Sequence, residues 1–319
     1  MNVLSILIPF FVTTALLLVF LKTPLSNLAL DHPNARSLHA HQVPRIGGLA
    51  LGLGVIVAWL VANIDNSWIL LTVALMSVSL VDDLRGLSVR WRLLAQLLVS
   101  ACFIWLFCIG LAWWMMLFAL LGLVWITNLY NFMDGSNGLA GGMAVFGFGT
   151  YAIAAYSAQN IQLVQMCGAI AASSLAFLIF NFHPARIFMG DAGSIPLGFL
   201  AGAIGLYGWQ KNIWPLWFPV LVFSPFIVDA TITLLKRAIN GEKVWEAHKV
   251  HYYQRLVRMG WSHKTTALVE YTLMLLTCES ATFMLKLPFL WVCGLLFLWA
   301  LVYILLMLQI DKHWKQHLP

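Results

Sequence analysis

Apolar stretches of membrane length follow one another along this chain, separated by short polar breaks. Eleven can be marked, at about 2–21, 46–63, 67–81, 93–110, 112–130, 140–157, 162–180, 196–209, 214–235, 266–285 and 289–309. Each approaches the roughly 20 residues that a helix needs to cross a bilayer. The strict alternation of a lipid-facing β-barrel is absent. The pattern predicts an all-α, polytopic integral membrane protein. No repeat, low-complexity tract or long linker divides it, so residues 1–319 read as one transmembrane domain with loops at about 22–45, 82–92, 131–139, 181–195 and 236–265. The first stretch lacks a basic leader and a small-residue cleavage site, so it reads as a retained span rather than a secretory signal.

Composition agrees with the pattern. With 61% hydrophobic and 9% charged residues and a mean hydropathy of +0.87, too little polar surface remains to cover a soluble globule. If the eleven spans alternate, sixteen of the eighteen Lys and Arg fall on one side, leaving only Lys211 and Lys286 on the other. Basic loops stay in the cytoplasm, which places the N-terminus outside and the C-terminus inside. All nine histidines share the basic side, Asp65 is alone opposite, and Asp229, Glu270 and Glu279 lie within spans. The net charge of +6 is therefore a basic inner rim. It signals topology and attracts anionic lipid, and the same field suits a polyanionic substrate; nothing in it calls for nucleic acid. The five cysteines lie inside spans without metal-ligand spacing and read as packing residues.

Against this background, acidic motifs at the ends of spans stand out, because a carboxylate near lipid costs roughly 2.5 to 3.5 kcal/mol on insertion scales. Asp82-Asp83 closes the third span. Neighbours on a helix point about 100° apart, so the two carboxylates should have different tasks, one at a metal or nucleophile and one holding a loop. Asn128, Asn131 and Asp134 follow at i, i+3 and i+6, which lines them along one helix face; amides beside a carboxylate suit a magnesium shell or phosphates, or alternatively a polar helix contact. In Gly190-Asp191-Ala192-Gly193-Ser194, glycines on both sides of Asp191 predict a tight turn that presents its carboxylate and exposes backbone amides. The loop from Asp31 to Gly48 carries Arg36 and Arg45, whose forked guanidinium groups could grip phosphate, though an ordinary basic turn would read the same.

Taken in order, these motifs resemble the polyprenyl-phosphate N-acetylhexosamine-1-phosphate transferases, glycosyltransferase family 4. This family includes the bacterial enzymes that start O-antigen, enterobacterial common antigen and teichoic acid linkage synthesis, and more distantly the translocase that makes lipid I. The resemblance runs from Asp31 to about His263, on Arg36, His39, Pro44-Arg45-x-Gly47-Gly48, Asp82-Asp83, Asn128-x-x-Asn131-x-x-Asp134-Gly135 and Asn181-x-x-Pro184-Ala185-x-x-Phe188-x-Gly190-Asp191-x-Gly193-Ser194. The last loop departs from the pattern. Where the family has His-x-His-His, this chain has His251 followed by Tyr252, Tyr253 and Gln254, with His248 one turn earlier. That argues against the lipid I enzyme, whose loop has three consecutive histidines.

The resemblance implies transfer of a sugar-1-phosphate from a UDP-sugar to undecaprenyl phosphate in the bacterial inner membrane, on its cytoplasmic face, with magnesium or manganese. It makes Asp82, Asp83 and Asp191 catalytic, with Asp191, Asn131 and Asp134 around the metal. Substrate contacts would come from Arg36, His39, Arg45, Asn128, Asn181, Arg186, His248, His251, Arg255 and Arg258, the two histidines acting together if they lie at i, i+3 on a helix. A membrane lipid environment is implied, and a homodimer is left open. The rival is an ion-coupled transporter built on Asp229, Glu270 and Glu279. A transporter should place its key groups near midplane, whereas these motifs lie at the rim.

Overall fold

In a computed structural model, which describes residues 4–31, 42–246 and 248–317, a helix occupies each of the eleven predicted segments. They are α1 (Leu4–Lys22), α2 (Gly47–Val61), α3 (Asn66–Arg85), α4 (Val89–Phe107), α5 (Trp113–Phe132), α6 (Leu139–Ser157), α7 (Ile161–Asn181), α8 (Asp191–Gln210), the pair α9 (Trp217–Val222) and α10 (Ser224–Ile239), α12 (His263–Met284) and α13 (Phe289–His317). Seven of these, α3 to α8 and α13, are long and apolar enough to cross a membrane, and α1 and α2 contribute shorter apolar stretches. The chain is an all-α polytopic membrane protein.

Three features depart from the expected pattern. The ninth segment is broken at Phe223 into α9 and α10; Pro225 lies in the first turn of α10, where a missing N–H costs nothing. The last polar loop carries an additional short helix, α11 (Tyr252–Arg258). Between α1 and α2, a 3-10 turn (Pro24–Asn27) leads into a two-residue antiparallel pairing of β1 (Leu30–Asp31) with β2 (Val43–Pro44).

The helices form an inner and an outer set. The apolar windows of α6, α7 and α8 are 67%, 72% and 83% buried, while those of α4, α5 and α13 are 22%, 22% and 11% buried. Water cannot drive helix association inside lipid, so close backbone packing between small residues takes its place. The inner helices accordingly carry Gly141, Gly142 and Gly147 on α6 and Gly193, Gly198, Gly205 and Gly208 on α8, all buried. The tightest backbone-to-backbone approach at a glycine joins α2 to α8, where a Cβ at Gly48 would overlap the backbone of Gly193. Just before that crossing, Phe188 N–H donates to Pro44 O (2.7 Å), Gly47 N–H to Phe188 O (2.9 Å) and Gly48 N–H to Met189 O (2.8 Å). These bonds bring Arg45 beside Gly190.

Candidate active site

The N-terminus of α8 is the centre of the site. Gly190 adopts φ of +71°, a conformation open to glycine, and a Cβ there would overlap Arg45 O and approach Asp83 Oδ2 to 2.9 Å. The chain therefore turns into α8 directly against the end of α3. Asp83 receives the helix: Ala192 N–H donates to its Oδ2 at 2.9 Å. An acid at the C-terminus of its own helix opposes the macrodipole, but here it faces the positive end of α8. Arg45 completes this side, donating through Nη2 to Asp83 O (2.6 Å) with Nε at 3.7 Å from Asp83 Oδ1.

Asp82 points elsewhere. Its Oδ1 accepts from Leu87 N–H (2.5 Å), closing the turn into α4, and its Oδ2 accepts from Arg92 Nη1 (3.0 Å). The same Arg92 nitrogen lies 3.3 Å from Asp191 Oδ2, so one guanidinium spans two carboxylates. In the sequence Arg92 is one of many rim arginines; its tie to Asp191 joins residues 99 apart, which no local pattern reveals.

The third contribution comes from the end of α5. Asn131 Oδ1 accepts from Ser194 Oγ at 2.6 Å, a bond that fastens α5 to the first turn of α8. Asp134 lies beyond the helix, which ends at Phe132, so it does not continue the Asn128–Asn131 face as expected. It still meets the cluster: burial, then the charges of Asp191 and Asp83, hold its acid well above the usual carboxylate range. Four carboxylates thus crowd one spot with two arginines. Asn128 sits one turn earlier and exchanges hydrogen bonds with Gln96 of α4, donating to its Oε1 at 2.6 Å and accepting from its Nε2 at 3.4 Å. Asn128 is an interhelical tie here, the alternative its spacing had left open.

The other residues expected at the substrate make the following contacts. Asn181 is buried, its amide donating to Ile187 O (2.8 Å) and accepting from Gly138 N–H (2.9 Å), which joins two loops. Arg186 is exposed and stacks on Phe180, 4.7 Å from its ring centre. Arg255 is turned away from the cluster: it donates to Asp311 Oδ1 of α13 (2.7 Å) and to Val250 O (2.7 Å) and packs on Tyr252. Arg258 stacks on Trp314, 4.6 Å away, and donates to Lys249 O. Arg36 and His39 lie outside the described residues.

His248 and His251 do not share a helix. His251 is the cap residue that precedes α11, and His248 lies in the irregular segment before it, with ring centres 4.6 Å apart. His251 is buried, 3.4 Å from Asp229 Oδ1 through Nδ1 and stacked between Phe132 and Tyr253. Asp229 accepts from Tyr252 N–H (2.9 Å), Tyr253 N–H (3.0 Å) and Thr233 Oγ1 (3.1 Å), so it caps α11. Tyr253 then donates to Phe132 O (3.1 Å), pinning α11 against the Asp134 loop.

His248 is pushed down to about 4, by burial first and then by the neighbouring His251 and Arg237. It is neutral at pH 7, so it presents a hydrogen-bonding ring rather than a charge. In the unfolded chain a histidine takes up its proton near 6.5. The stability His248 contributes is therefore complete above that value and lost as pH falls toward 4. In thermal melts, the wild type should lose melting temperature relative to His248→Gln between pH 7 and pH 4.5. An offset that stays constant over that interval would refute this role.

Magnesium uses one or two carboxylates together with water and substrate phosphate rather than an all-protein cage. Among the described residues no three His, Cys, Asp or Glu side chains are grouped to hold a metal, but the donor types suit that demand: Asp191 and Asp134 are carboxylates with Asn131 near them, and the charge of Asp191 works against ionisation of Asp134. A cation there would relieve that repulsion.

With this geometry in place, comparison with known proteins is informative. The glycosyl transferase family 4 model matches residues 66–208, which contain Asp82, Asp83, Asn131, Asp134 and Asp191. A probable undecaprenyl-phosphate N-acetylglucosaminyl 1-phosphate transferase of Bacillus subtilis is 32% identical over 263 residues, covering 76% of this chain and 74% of that protein. The chain belongs to glycosyl transferase family 4, the polyprenyl-phosphate sugar-1-phosphate transferases. A phospho-N-acetylmuramoyl-pentapeptide-transferase of Listeria monocytogenes is 31% identical over 158 residues, 48% of this chain and 47% of its own length. One from Geobacillus thermodenitrificans is 28% identical over 256 residues, 69% of this chain and 76% of its own.

Proposed function

We propose that this family 4 member transfers an N-acetylhexosamine-1-phosphate from a UDP-sugar to undecaprenyl phosphate on the cytoplasmic face of a bacterial inner membrane. The products are a polyprenyl diphosphate sugar, which initiates O-antigen or another envelope polysaccharide, and UMP. One observation carries the reading: Asp82, Asp83, Asp134 and Asp191 meet Arg45 and Arg92 where α3, α5 and α8 end. Two phosphate groups that repel each other can approach only where cationic groups offset their charge.

An oxygen of the acceptor phosphate bonds to the sugar-bearing phosphorus, and the bond from that phosphorus to the bridging oxygen breaks, releasing UMP. Asp191 and Asp134, with Asn131 beside them, would hold a magnesium ion, which when bound would supply charge neutralisation for the diphosphate. Arg92 releases its bond to Asp191 to meet phosphate, and Arg45 keeps Asp83 in place. Asp83 has its Oδ2 engaged by Ala192 N–H, which suits positioning better than proton removal. The acceptor phosphate, with a second pKa near 6, is already mostly dianionic at neutral pH. An apolar groove of about 500 Å³ between α5, α8, α9 and α10, lined by Phe118, Gly122, Gly202, Pro219 and Ile227, suits the acceptor tail; Leu129 in its wall lies two residues from Asn131.

Of the three acids behind the transporter reading, Asp229 is engaged by α11, which weighs against it. The test is UMP release from a panel of UDP-N-acetylhexosamines with purified protein and undecaprenyl phosphate. Magnesium-dependent release with one sugar, together with a lipid-linked product, supports the proposal; accumulation of sugar in sealed vesicles without UMP would replace it.

A further inference from the structure

A second groove lies against α3 and α4. Val78 of α3, Leu87 of the turn, and Trp91, Leu94, Ala95 and Leu98 of α4 enclose about 460 Å³ that opens outward. Its wall is apolar, but its rim is basic. Helical spacing puts Arg85 seven residues beyond Val78 on one face of α3, and puts Arg90 on the same face of α4 as Leu94 and Leu98. Both arginines are exposed, and neither has a hydrogen-bond or ion-pair partner among the described residues. Trp91, 63% exposed at the same level, has the amphipathic ring that sits at membrane interfaces. Apolar wall below, interfacial tryptophan beside and unpaired cations above match the outline of one anionic lipid.

We propose that the α3–α4 groove is a binding site for an anionic diacyl phospholipid, with acyl chain along Leu94 and Leu98 and headgroup phosphate between Arg85 and Arg90. The occupant is a resident bilayer phospholipid, because Arg85 and Arg90 offer two exposed, unpaired cations to one headgroup phosphate, while a separate apolar groove on the α5–α10 side is free for a second kind of tail. The two grooves lie against different helices. The α3–α4 site also touches the reaction centre: Val78 and Ala95 of its wall border the narrow gap that contains Asp82, Arg92 and Asp191. A lipid seated there would brace the α3–α4 turn that sets Arg92. The inference rests on the helix ends lying at a membrane surface and not on the transfer reaction.

Native mass spectrometry of the full chain in mild detergent tests it, with phosphatidylglycerol and phosphatidylcholine of identical acyl chains and undecaprenyl phosphate as probes. The wild type should retain phosphatidylglycerol over phosphatidylcholine. The double variant R85Q/R90Q should lower that retention by about tenfold, given the strength of basic residues near anionic lipid. Leu94→Trp, which fills the groove, should lower it as well, while Lys312→Gln on the exposed end of α13 should not. Equal retention of both phospholipids, or phosphatidylglycerol binding unchanged in R85Q/R90Q, would overturn the proposal. One-for-one displacement of phosphatidylglycerol by undecaprenyl phosphate would also overturn it, by assigning the groove to the acceptor. UMP release measured in parallel separates this outcome from failure of the proposed transfer reaction.

Discussion

Replacing Asp191 with Asn should lower UMP release by about 10²- to 10³-fold, the scale of losing one preorganised electrostatic group, while leaving the fold intact. The second half of this expectation follows from the crowding. Asp191 shares Arg92 with Asp82, and its charge helps push the Asp134 acid upward, so the cluster stores repulsion that removal of one charge relieves. Activity should fall while the melting temperature stays level or rises, as expected where a site is organised for chemistry at the expense of stability. Parallel turnover and thermal melts of wild type and Asp191→Asn check both. A variant that loses activity and stability together would make Asp191 a structural cap instead.

Gly48→Ala should have the opposite signature. Its new methyl would overlap the backbone of Gly193 and approach Met189 O, and backbone cannot step aside as a flexible side chain does. Overpacking costs about 1 to 3 kcal/mol where side chains can adjust, and a crossing of two backbones lies at or beyond the upper end. The same displacement would part β2 from the Phe188–Gly190 turn, carrying Arg45 away from Asp83. Gly48→Ala should therefore give poorly folded protein with a lowered melting temperature in detergent. Normal melting with normal turnover would show that α2 and α8 are further apart than described.

Much of this architecture is legible in the sequence because membrane insertion imposes strong local rules. Runs of apolar residues mark helix positions, and a glycine on each side of Asp191 marks a turn. The motif carboxylates were expected at one rim, and Asp82, Asp83 and Asp191 do converge around Arg92 and the first turn of α8. What local pattern cannot supply is the rotation of one helix against another. Spacing put Asn128 on the face of Asn131, but Gln96, 32 residues earlier, determines where its amide points. Arg255 looked available to a diphosphate until Asp311, 56 residues later, was found beside it. Asp229 looked like an intramembrane acid awaiting an ion, yet it faces the N–H groups of Tyr252 and Tyr253. The break at Phe223 did leave a local mark, since Pro225 favours the first turn of a new helix over the interior of a long one.

In the proposed reaction Asp134, just beyond α5, and Asp191, at the start of α8, hold one divalent ion against the donor's diphosphate. Manganese reports this directly, because its electron spin couples to phosphorus nuclei bound through oxygen. Pulsed electron paramagnetic resonance of the protein with manganese and its UDP-sugar should show phosphorus coupling that disappears in Asp191→Asn. Manganese bound without phosphorus coupling, or coupling that survives in Asp191→Asn, would contradict it.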